Sequence, residues 1–153
     1  MELRLKKAGI ADCEKIHQMQ IAGFRALLDK YQDFDTNPAA ETIERIKQRF
    51  QLQINHYFIE LNGESIGYVR VNRLGDDVCR LSSLLILPEH RGNGYAQWAI
   101  EQIERLNPQA RHWVLTTIKQ EAKLCHLYEK MGYKPTEVQT NVKEGMDLVD
   151  YAK

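Results

Sequence analysis

The stretch Leu84-Leu85-Ile86-Leu87-Pro88-Glu89-His90-Arg91-Gly92-Asn93-Gly94-Tyr95-Ala96-Gln97 decides how the rest of the chain is read. Leu84 to Leu87 are continuously apolar, which reads as the end of a strand buried on both faces. Pro88 stops the strand, and Gly92 and Gly94 turn the chain into a helix that starts at once. Glycines let the backbone turn sharply and let a ligand approach the amides closely. The first turn of a helix has four unpartnered N–H groups and a partial positive charge. Strand, turn and helix start together suit a phosphate group, and the fork of Arg91 suits phosphate oxygens. An ordinary strand-to-helix turn, in which the glycines only relieve strain, accounts for the same residues. A P-loop is not present, because its Lys and hydroxyl residue are missing. Nor is a dinucleotide fingerprint, since Gln97 stands where its third glycine would fall.

Upstream of this stretch, Leu3 and Leu5 alternate with Arg4 and Lys6 as a short edge strand. Apolar residues from Ile10 to Leu28 recur at helical spacing, and Gly23 is expected to break that run into two helices. Asn37-Pro38 reads as the start of the next helix, with Ile43, Ile46 and Phe50 on one face. Strands are expected at His56–Leu61 and Ile66–Leu74, joined by the tight turn Asn62-Gly63, and then at Val78–Leu87.

Downstream, Ala96, Ala99, Ile100, Ile103 and Leu106 form one helix face that ends at Asn107-Pro108. Trp113–Ile118 is a strand, and Glu121–Met131 a helix closed by Gly132. Tyr133–Thr140 and Met146–Tyr151 are two last strands. The order is that of an α+β protein, helices on a mixed sheet, in a single domain over residues 1–153.

Composition narrows the function classes. The chain has 153 residues, 43% hydrophobic and 27% charged, enough for one buried core. Lys plus Arg balance Asp plus Glu at 21 each, so nothing points to nucleic acid or an anionic membrane as partner. No run approaches the ~20 apolar residues of a membrane span, and the first residues lack the apolar region of a signal peptide. Cys13, Cys79 and Cys125 read as reduced thiols of a cytoplasmic protein. The histidines have no metal-ligand spacing, so no metal is expected.

Two motifs carry a resemblance. Arg91-Gly92-Asn93-Gly94-Tyr95-Ala96 matches [Q/R]-x-x-G-x-[G/A] at every defined position, and Leu127-Tyr128-Glu129-Lys130-Met131-Gly132-Tyr133 matches a second signature. Both stand in order, with a strand between them. The chain thereby resembles the GNAT superfamily of N-acetyltransferases, and its element order follows that family over nearly its whole length. The resemblance implies a mostly antiparallel central sheet of about seven strands flanked by about four helices. It implies acetyl-CoA as co-substrate and a primary amine, on a small molecule or a peptide, as acceptor. It also implies that the amides of Arg91, Gly92, Asn93, Gly94, Tyr95, Ala96 and Gln97 bind the CoA pyrophosphate. Leu84, Leu85 and Ile86 would pair with the pantetheine arm like an added strand, which backbone groups can do whatever their side chains. Tyr128 would be the acid that serves the departing thiolate; a phenol of pKa ~10 can donate to a thiol of pKa ~8.5. A core aromatic on a helix face is the structural reading of the same residue.

The chain departs from the family at several positions. Glu121 stands where many members have an Asn that contacts the cofactor, and Thr116 and Arg80 stand where members carry a base. No base is assigned. Cys125 suggests a covalent route, but its helical position favours packing. The acceptor pocket is expected between Phe24–Thr36 and the last two strands; Asp29, Asp33 and Asp35 there read as a solvated loop. A non-catalytic acyl-CoA-binding regulatory module is the alternative function, and a homodimer is left open.

Overall fold

The computed structural model describes residues 1–153. Its strands are β1 (Leu3–Lys7), β2 (Ile54–Leu61), β3 (Glu64–Arg73), β4 (Val78–Ile86), β5 (His112–Ile118), β6 (Lys134–Lys143) and β7 (Met146–Ala152). Its helices are α1 (Cys13–Tyr31), α2 (Ile43–Arg49), α3 (Tyr95–Leu106) and α4 (Ala122–Lys130). The seven strands form one sheet in the order β1-β2-β3-β4-β5-β7-β6. Every pairing is antiparallel except β4 with β5, so the expected α+β architecture is the one observed. No helix is long and apolar enough to cross a membrane.

Strand alternation sorts the core into two halves. Phe58, Tyr68 and Leu85 point to one face, where they meet Cys13, Ile16 and Met19 of α1 and Ile46 of α2. Ile59, Val69 and Ile86 point to the other face and meet Ala99, Ile100 and Ile103 of α3 and Tyr128 of α4. The Asn62-Gly63 turn forms as read: both residues have positive φ, 51° and 86°, as the tight hairpin turn demands.

Three local expectations need correction. Gly23 does not break α1, which runs unbroken from Cys13 to Tyr31. A Cβ on Gly23 would lie 2.9 Å from Leu85 Cδ1, so the glycine is there for close approach of helix to strand. Asn37-Pro38 starts only a single 3-10 turn, Pro38–Ala40, with the Asn37 side chain accepting from the Ala39 amide at 2.7 Å. The chain then resets, and Thr42 caps α2 by accepting from the Arg45 amide at 3.2 Å. Leu84 and Leu87 are only half-buried: Leu84 borders a cleft, and Leu87 lies past the end of β4, before the turn Pro88–His90.

The cleft follows from one extra residue. Arg70 pairs with Ser83 and Val71 with Leu81, which leaves Ser82 as a bulge in β4. The bulge shifts the alternation, so Leu81 faces α3 while Leu85, also odd-numbered, faces α1. Pairing of β4 with β5 is confined to Val78, Cys79 and Arg80 opposite His112, Trp113 and Val114. Beyond the bulge the two parallel strands part.

Candidate acyl-transfer site

The splayed strands leave the facing edges of β4 and β5 without strand partners over their C-terminal halves. Such an edge offers backbone N–H and C=O groups to an extended ligand. Leu84 and Ser83 of β4 border the cleft, while Leu85 and Ile86 point into the two cores on either side of the same strand.

At the end of β4 the chain enters a 3-10 turn, Pro88–His90, and then the glycine loop. Gly92 and Gly94 have φ of 81° and 80°, and no atom lies within 4 Å of a Cβ built on either. Backbone conformation alone therefore demands glycine at both. The first bonded amide of α3 is that of Trp98, which donates to the Gly94 carbonyl at 3.1 Å. The amides of residues 92–97 have no acceptor in the protein. They border a cavity of about 190 Å³ lined by Arg91, Gly92, Gly94, Tyr95, Ala96 and Gln97, with Ile86 and Leu127. Unbonded amides at a helix start form an anion cradle. Asn93 braces the loop, its Nδ2 donating to the carbonyls of His90 at 3.1 Å and Arg91 at 3.3 Å.

Arg91 is also engaged within the protein. Its Nε donates to the Ile86 carbonyl at 2.9 Å and its Nη2 to the Gly23 carbonyl at 2.7 Å. The guanidinium fork thus grips the backbone of β4 and α1. Its positive charge still stands beside the loop.

The cleft between the strands measures about 250 Å³. Phe24, Leu27, Asp33 and Thr36 form one wall, β4 and β5 the sides, and Leu124 and Tyr128 of α4 the opposite wall. Met146 and Leu148 of β7 line its lower end. Tyr128 is 9% exposed and sits among Tyr133 and Tyr151, with ring centroids at 6.2 and 6.4 Å. Burial pushes its phenol up to about 12, with the nearby Cys125 adding to the effect. Cys125 does not line the cleft; its Sγ points to the Ile118 carbonyl at 3.6 Å.

Several contacts at the site have no sequence signal. Glu121, where the family's Asn is expected, accepts hydrogen bonds from Lys30 Nζ at 2.7 Å and the Tyr31 hydroxyl at 2.5 Å. Burial pushes this carboxyl up, but the bonds from Lys30 and Tyr31 outweigh it and hold it below the usual range. The end of α1 is thereby fastened to the start of α4. Thr116 accepts from Arg80 Nη1 at 3.0 Å and donates to Asp150 Oδ1 at 2.7 Å. The loop after α1 is pinned from beneath: the buried Gln20 donates to the Pro38 carbonyl at 3.0 Å, and the Asn37 side-chain Nδ2 to the Phe24 carbonyl at 3.4 Å. Asp29 and Asp35 are exposed as expected, but Asp33 is 5% exposed and lines the cleft.

Comparison with known proteins accords with this geometry. No curated protein matches the chain by sequence. Among solved structures, the ribosomal-protein-S18-alanine N-acetyltransferase of Escherichia coli is similar, with TM-score 0.79, 11% identity and coverage of 99% of this chain and 92% of that one. The protein yncA of Salmonella typhimurium, solved with acetyl-CoA, matches with TM-score 0.74 and 20% identity over 100% and 94%. An N-acetyltransferase of Thermoplasma acidophilum in complex with coenzyme A matches with TM-score 0.72 and 13% identity over 98% of each chain. At such identities these neighbours establish the shared fold. The model of the Acetyltransferase (GNAT) family matches residues 21–133, from within α1 to the end of the second signature, and the chain belongs to that family.

Proposed function

We propose that this acetyltransferase moves an acetyl group from acetyl-CoA to a primary amine by direct attack on the thioester. One observation carries the reading: the unbonded amides of residues 92–97 border one cavity, Tyr128 lines a second, and β4, with its edge unpaired, runs from one to the other. Together they offer a cradle for the pyrophosphate, an edge for the pantetheine arm and a hydroxyl for the sulfur. Arg91 contributes charge and holds the loop; the amides of Gly92, Asn93, Gly94, Tyr95, Ala96 and Gln97 do the binding. Leu84, Leu85 and Ile86 contribute backbone groups.

The neutral amine adds to the thioester carbonyl, and the C–S bond breaks as the amide forms. The nitrogen's extra proton passes to solvent, and the sulfur leaves as a thiolate that takes up a proton. Full transfer from a phenol at about 12 to a thiolate of pKa ~8.5 is uphill by about 5 kcal/mol. The Tyr128 hydroxyl therefore acts chiefly as a hydrogen-bond donor to the charge growing on sulfur. For an alkylamine of pKa ~10.4, deprotonation at pH 7 costs a further ~4.6 kcal/mol. No covalent enzyme intermediate is needed, in keeping with Cys125 lying outside the cleft.

The test is a screen of amines, amino acids and peptides for release of free CoA from acetyl-CoA, with the acetylated product identified by mass. Turnover with any of them separates an enzyme from a binding module. If millimolar acetyl-CoA neither raised the melting temperature nor gave calorimetric heat, the reading would fall.

A further inference from the structure

Asp33 is the only charged side chain that lines the cleft. It stands just past the end of α1, which Gln32 closes in the left-handed conformation. Its carboxylate accepts from the Thr36 amide at 3.2 Å and from the Thr36 hydroxyl. Both are neutral donors, and no Lys, Arg or His forms an ion pair with it. A carboxylate has about four acceptor sites, so about two remain. A buried charge without a counter-charge is costly, and a bound cation removes that cost.

A second polar group without a partner belongs to the same cleft. Ser83 also lines the cleft, is 8% exposed, and its hydroxyl has no hydrogen-bond partner in the protein. Buried polar groups in folded proteins are nearly always paired. Asp33 and Ser83 therefore offer an ionic partner and a hydrogen-bonding partner to something that enters the cleft.

The reacting nitrogen itself is poorly suited to Asp33. A carboxylate beside it would favour its ammonium form and oppose attack. Asp33 also lies on the α1 side of the sheet, whereas Tyr128 belongs to α4 on the other face. We propose that Asp33 binds a second, non-reacting cation, so that the acceptor is a compact aliphatic amine carrying an additional positive charge. The small cleft, about 250 Å³ and shared with the thioester arm, favours a short molecule. The inference rests on the cleft being the acyl-transfer site.

The test uses three amines of equal length that differ only at the far end: 1,4-diaminobutane, butylamine and 4-aminobutanoate. Their affinities for the full chain are measured by calorimetry with and without CoA, and their acetylation is measured in parallel. The diamine should bind at least ~10-fold more tightly than butylamine, and aminobutanoate more weakly than either, on the scale of a buried charge pair. Asp33→Asn, which keeps an acceptor for Thr36, should bring the diamine to the level of butylamine without changing the affinity for CoA. Asp33→Ser is the second variant, should the first unfold. Equal binding of the three amines, no binding of any, or a preference that survives both variants would overturn the proposal. Preference in binding without acetyl transfer would sink the catalytic reading and leave the cation site; transfer without preference would do the reverse.

Discussion

Arg91 Nη2 lies 2.7 Å from the carbonyl oxygen of Gly23, so the signature arginine fastens the glycine loop to α1. Two charge-assisted hydrogen bonds to backbone carbonyls, at Gly23 and Ile86, depend on the fork of this side chain. Lysine carries the same charge but has no fork. Arg91→Lys should therefore lower the melting temperature by about 4–8 °C, from a loss of about 2 kcal/mol. Acetyl-CoA should bind more weakly, because the loop is less well held. Thermal denaturation with and without acetyl-CoA checks both. An unchanged melting temperature with weakened binding would return Arg91 to the role of phosphate ligand.

Gly94→Asp tests the loop by charge. Gly94 has φ of 80°, which aspartate tolerates better than most residues, and no atom lies within 4 Å of a new Cβ. The fold should survive at a cost of about 1–2 kcal/mol. The carboxylate would stand where the proposed pyrophosphate lies, and acetyl-CoA affinity should fall at least ~10-fold by like-charge repulsion. Equal affinity in a folded variant, measured by calorimetry, would make the turn purely structural.

Tyr128→Phe keeps the ring among Tyr133 and Tyr151 and removes only the hydroxyl. Turnover should fall ~10²-fold or more, as on loss of one donor to a developing anion. Affinity for acetyl-CoA should hold. In the wild type, a phenol at about 12 stays protonated at pH 10. The rate should then rise with pH as the amine loses its proton, with no falling limb from Tyr128 below pH 10. Unchanged turnover in the variant would leave Tyr128 as a core aromatic.

A pH dependence of stability follows from His56. It is buried, stacked on Phe50 at 3.9 Å, and its Nδ1 is 2.5 Å from the Tyr68 hydroxyl. Burial, then the charges of Arg70 and Arg49, lower its pKa from 6.5 to about 4. The unfolded chain thus binds this proton more readily than the folded one. Stability from this source is complete above pH ~6.5 and is lost progressively as pH falls toward about 4. Urea denaturation between pH 7 and 4 should show the decline, and His56→Gln should flatten it. A variant with the same slope as the wild type would exclude His56 as the cause.

Much of the fold was legible because its signals are local. The apolar run at Leu84–Leu87, the glycines at 92 and 94 and the Asn62-Gly63 turn each act over a few residues. Gly23 misled because helix propensity counts the cost of a glycine but not the approach of Leu85, more than sixty positions away. The Ser82 bulge carries no mark in composition; it exists only against the register of β3. Glu121 read as a departure from the family, and only the fold brings Lys30 and Tyr31 to it. Asp33 read as solvated beside Asp29 and Asp35, since spacing within a loop does not tell which carboxylate turns inward.

The two fastenings of α1 have a geometric meaning. Gly23 is tied to the loop that follows β4, and Tyr31 to the residue where the chain leaves β5 for α4. The ties are eight residues apart on one unbroken helix, which is at most about 12 Å of rise. Two paired strands stand about 4.8 Å apart, and two strands with a third between them about 10 Å. The helix is thus a gauge block set across the open arms of the sheet, with a span comparable to the room one added strand would need. Aperture is then a property of α1, and an added or deleted helical turn between Gly23 and Tyr31 would shift one fastening against the other and change the width of the opening.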